Sequence, residues 1–110
     1  MILRRLAVSL LSIALGASPL VAQQNPTVRR ATQAYEQLDY SNAVVLARRA
    51  LGERLSREDR IQTYELLGYS YGALDSLRQA VDAFRQLIFL APDREPDVER
   101  VSPRITSLYA

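Results

Sequence analysis

The chain of 110 residues contains no Cys, His or Trp, and all 14 of its cationic side chains are Arg. Those absences exclude disulfide frameworks, thiolate and imidazole metal sites, and Ser-His-Asp or Cys-His catalysis. Hydrophobic residues at 48% and charged residues at 24% mark a globular chain, and the net charge of +2 lies wholly in Arg4 and Arg5, which argues against nucleic-acid binding.

Residues 1–22 read as a signal peptide. Arg4-Arg5 form a short positive start, residues 6–17 are uncharged and apolar, and Pro19 precedes a small residue at Ala22. Cleavage near Ala22 implies a periplasmic or secreted product; the alternative is an N-terminal membrane anchor, since residues 6–22 reach the lower limit of a spanning length. In the cleaved case the membrane is met only transiently. The 12 Arg and 12 Asp+Glu that follow residue 22 cancel to a net charge of zero.

Residues 23–26 read as a linker, and helical periodicity then dominates. Val28, Ala31, Tyr35 and Leu38 recur on one helical face, followed by polar turn chemistry at residues 39–42. Ala43, Ala47, Ala50 and Leu51 give a second face, with Gly52 placed for a left-handed cap. Ser56 with Asp59 signals a third helix, carried by Ile61, Tyr64, Gly68 and Tyr71. Ser76 with Gln79 signals a fourth, lined by Ala80, Phe84, Leu87 and Ile88 and stopped before Pro92. Residues 93–110 read as a connector and a short last helix with Val101, Ile105 and Leu108 on one stripe.

The second hairpin repeats the first at a constant offset of 37 residues, matching Ala31 to Gly68, Ala43 to Ala80 and Ala47 to Phe84. Within the second unit, Tyr64-x2-Leu67-Gly68-x2-Tyr71, then Ala80-x3-Phe84 and Pro92, resembles the tetratricopeptide repeat at every spacing. The first unit keeps Ala31, Tyr40, Ala43 and Ala50 but has Arg30 where Leu is usual and Ala47 where an aromatic is usual. The resemblance implies an all-α, right-handed array of helical hairpins: repeats at 27–55 and 56–92, plus a capping or third-repeat helix in 93–110. By the same reasoning Gly68 should face Ala80 at a close helix crossing, with Tyr40, Tyr64 and Tyr71 as core.

The family's geometry further implies a concave groove for partner peptides. Its wall would comprise Thr32, Tyr35 and Glu36 in the first unit and Glu65, Tyr69 and Gly72 in the second. Tyr combines a large apolar face with a hydroxyl, which suits Tyr35 and Tyr69 to an interface. A second surface is expected at the C-terminal end, where Val101, Ile105, Leu108 and Tyr109 would meet a partner or another copy of the chain.

The carboxylates cluster at helix starts and in the connector rather than in an apolar pocket, so no catalytic, cofactor or metal site is expected. The expected function is an exported protein-interaction module. The alternatives are a docking segment of a larger envelope assembly and, from a different class, a small carboxylate-dependent enzyme.

Overall fold

The computed structural model describes residues 23–94. Its regular elements are four helices: α1 (Pro26–Glu36), α2 (Tyr40–Leu51), α3 (Arg57–Ala73) and α4 (Leu77–Leu90). Among the described residues there is no strand, so the all-α expectation holds there. Each helix packs on its successor, and α1 also packs on α3; α2 and α4 do not pack on each other.

Each helix starts where a side chain or Pro can serve its unpaired N–H groups. Asn25 Oδ1 accepts from the N–H groups of Thr27 and Val28 at 2.8 and 3.1 Å, with Pro26 in the first turn. Asp39 caps α2 by accepting from Asn42 N–H at 3.4 Å, so residues 40–42 are its first turn rather than part of the loop. Ser56 Oγ accepts from Asp59 N–H at 3.1 Å, as its sequence predicts. Ser76 departs from expectation. Its side chain makes no capping bond, although it precedes α4.

The expected left-handed glycine is absent from the end of α2: Gly52 has φ −81° and ψ −5°. Among the described residues the left-handed ones are Leu38 and Asp75, both at φ 64°. They lie 37 residues apart, and the bonds around them correspond one for one. In the first turn Gln37, Leu38 and Asp39 donate to the carbonyls of Gln33, Tyr35 and Ala34. In the second, Leu74, Asp75 and Ser76 donate to Ser70, Gly72 and Tyr71. Each is a Schellman closure built without glycine.

Between α3 and α4, Gly68 faces Phe84. A Cβ placed on Gly68 would collide with the ring, reaching its Cδ1 and Cζ at 2.6 Å. The expected partner Ala80 is buried, but the atoms nearest to a Cβ on Gly68 belong to the aromatic ring, because Phe84 occupies the space a side chain would fill. The first hairpin uses small residues instead: Ala31, Ala43, Ala47 and Ala50 are all fully buried. One polar atom in the core stands out. Ser70 Oγ is buried with no hydrogen-bond partner, whereas Thr63 Oγ1 donates to Asp59 O at 2.7 Å.

The leader at 1–22 and the C-terminal surface of Val101, Ile105, Leu108 and Tyr109 lie outside the described residues.

Candidate interaction surface

The six expected groove residues do not form one open wall. Tyr35 and Tyr69 are 8% and 5% exposed and belong to the core cluster, and Gly72 is also buried. Their rings join an aromatic chain, with Tyr40–Tyr35, Tyr35–Tyr69 and Tyr69–Phe84 centroids 5.6, 6.3 and 5.6 Å apart. These contacts run from α2 through α1 and α3 to α4, so the two tyrosines tie the hairpins together. Tyr40, Tyr64 and Tyr71, expected as core, are only half-buried and pack against its edge.

The polar members are engaged as well. Thr32 Oγ1 donates to Val28 O and accepts from Gln62 Nε2, both at 3.0 Å. Glu65 accepts a two-pronged contact from Arg94, at 3.0 Å from Nε and 3.2 Å from Nη2. Glu36 is exposed. Beside it, Tyr35, Glu36, Leu38 and Tyr40 border a hollow of about 270 Å³ at the turn end of the first hairpin.

A different concavity lies on the other side of α3. Because α2 and α4 flank α3 without meeting, they leave a cleft of about 350 Å³. Tyr64, Leu67 and Tyr71 form its floor. Arg48 and Leu51 stand on the α2 side, and Gln79, Asp82, Ala83 and Gln86 on the α4 side. An apolar floor between opposed charges suits an amphipathic segment. The floor residues occur at i, i+3 and i+7, a pattern that reads as core when the neighbouring helices are unknown. That they floor a cleft follows from the gap between α2 and α4, which no single helix reveals.

Sequence reasoning also missed a polar network at the start of α1. Gln24 Nε2 donates to Gln62 Oε1 at 2.6 Å, and Asn25 N–H donates to Asp59 Oδ2 at 3.0 Å. Glu53 accepts from Asn25 Nδ2 at 3.1 Å and from Thr27 Oγ1 at 2.9 Å. The supposed linker is thus bound to α3 and to the α2–α3 connection. Its only sequence signal was a run of amides and hydroxyls, residue types equally common in loops.

Among the described residues, no group of three Asp or Glu could hold a metal ion, and no helix is long and apolar enough to cross a membrane. The carboxylates of Glu53, Asp59 and Glu65 all serve structural bonds. Comparison with protein-family models, curated proteins and solved structures finds no match to this chain.

Proposed function

We propose that the chain is an exported, tetratricopeptide-like interaction module without catalytic chemistry, and that it binds a segment of a partner protein in the cleft between α2 and α4. The cleft carries this reading: it joins an apolar floor of Tyr64, Leu67 and Tyr71 to Arg48 and Asp82 on opposite walls. The repeat-like character is supported by the matched turns at an offset of 37 residues and by the contact of α1 with α3. The burial of Tyr35 and Tyr69 moves the binding surface away from the face that the family resemblance implies.

Site-specific photo-crosslinking in the full chain tests the assignment. A crosslinker at exposed Gln79 or Gln86 should capture a discrete partner, and one at exposed Gln33, which is outside the cleft, should not. Equal capture from Gln33 would remove the cleft from consideration.

A second reading, a docking segment of a larger assembly, is favoured by Phe89 at the end of α4, which is 82% exposed. Phe89→Asp should then reduce assembly size in sedimentation while leaving the helical content unchanged.

A further inference from the structure

The Arg29-Arg30 and Arg48-Arg49 doublets look isolated in sequence, yet the fold brings them to one end of the molecule. Antiparallel packing sets the start of α1 beside the end of α2. Bonds from Asn25 to Glu53 and Asp59 fix the α2–α3 connection and the start of α3 at that same end. Arg57 Nη2, donating to Leu90 O at 2.6 Å, adds the end of α4. Arg29, Arg30, Arg48, Arg49 and Arg54 therefore gather there, all exposed and none within ion-pair distance of a carboxylate. Most acids of this end are otherwise engaged, Glu53 and Asp59 by Asn25 and Thr27 and Glu58 by Arg57; exposed Asp93, just after α4, also lies here and is outnumbered by the five arginines. The opposite end, at the two hairpin turns, carries Glu36, Asp39 and Asp75 against Arg78. A chain with no net charge after residue 22 is thus strongly polarised.

We infer that this arginine-rich end docks on an anionic membrane surface. The sequence places the apolar run of residues 6–22 immediately before it. Hydrogen bonds hold the chain to α3 from Gln24 onward, so Gln23 is the one residue between that run and the folded body. One extended residue spans only about 3.5 Å, well inside the screening length of about 8 Å at physiological salt. An apolar run seated in a bilayer therefore delivers the five guanidiniums to the headgroups, where each phosphate can accept paired N–H bonds. Cleavage after Ala22 leaves the same surface and adds an α-ammonium group. Arg48 also borders the cleft, whereas Arg29, Arg30, Arg49 and Arg54 do not line it.

The test is partitioning of the full chain between buffer and vesicles. Phosphatidylcholine vesicles report the apolar contribution, and phosphatidylcholine–phosphatidylglycerol vesicles add the anionic one. The ratio of the two partition coefficients isolates charge. Arg49→Gln should lower that ratio about fivefold and the Arg30→Gln, Arg49→Gln pair about 25-fold, with circular dichroism unchanged. Arg78→Gln, in the first turn of α4 beside the opposite end, should change it less than twofold. A ratio near one for the unaltered chain would overturn the inference, as would an equal loss from Arg78→Gln. Capture by a polyglutamate peptide without lipid preference would overturn it in favour of an acidic protein partner.

Discussion

The two hairpins solve one packing problem in two ways. In the second, Gly68 vacates its side-chain space and Phe84 fills it; at the matching places in the first stand Ala31 and Ala47, both fully buried. Both solutions bring two helices close, but only the second concentrates the contact in one ring. Position in the stack explains another difference. Leu67, between the hairpins, is 4% exposed, whereas its counterpart Arg30 is exposed because the described stack has no helix beyond it on that side. A repeat spacing therefore conserves geometry without conserving how the energy is divided.

The largest expected effect tests that division. Phe84→Ala should cost about 3–5 kcal/mol, because the emptied ring site cannot collapse around a glycine. At the matching position, Ala47→Gly should cost only about 1 kcal/mol. Denaturant melts giving equal losses would break the distinction between the hairpins.

Gly68→Ala supplies a test of sign. In an open helix this change gains about 1 kcal/mol, but here overpacking against the ring should cost about 1–3 kcal/mol. Combining it with Phe84→Leu should recover part of the loss, and a double-mutant cycle would measure the coupling. A stabilised single variant would mean that the ring moves aside freely.

A smaller effect is expected at Ser70, whose counterpart Gln33 is exposed. Ser70→Ala removes the unpartnered buried hydroxyl and should raise stability by about 1 kcal/mol. Thr63→Val, which removes a hydroxyl already bonded to Asp59 O, should bring no such gain. A melting temperature unchanged by Ser70→Ala would show that the hydroxyl carries no penalty.

The smallest pair concerns the left-handed turns. Leu38→Gly should stabilise by about 0.5–1 kcal/mol, since a leucine side chain is strained at positive φ. Asp75→Gly, at the same φ, should gain only a few tenths, because Asp tolerates that region better. Reversal of this order would place the strain elsewhere in the turns.

The four helices were legible because apolar spacing reports directly which face of a helix is covered, whereas the partner of Gly68 was expected to be Ala80 and is Phe84. The exposure of the tyrosines was not. Whether Tyr35 or Tyr64 lies inside depends on which helices flank it, and Tyr35 meets Tyr69 from 34 residues away. The glycine-free turns were missed for a local reason: sequence rules assign left-handed geometry to Gly, and Gly52 drew that assignment although its backbone is right-handed. The cleft and the polarised charge were hidden by the same limitation. Doublets 19 residues apart become neighbours only once α1 and α2 are paired antiparallel.

The network around Gln24 and Asn25 also imposes an order in time. The acceptors that hold Asn25, Thr27 and Gln24 lie between 26 and 38 residues further along the chain. As the polypeptide is synthesised at about 5–20 residues per second, the front of α1 has no fixed seat for about 2–8 s after it is made. Peptidases require extended substrate, so the bond between Gln24 and Asn25 is open to them within that interval. Once Gln62 has arrived and the network has closed, Gln24 and Asn25 are held on α3, and cutting the chain there must wait for local opening.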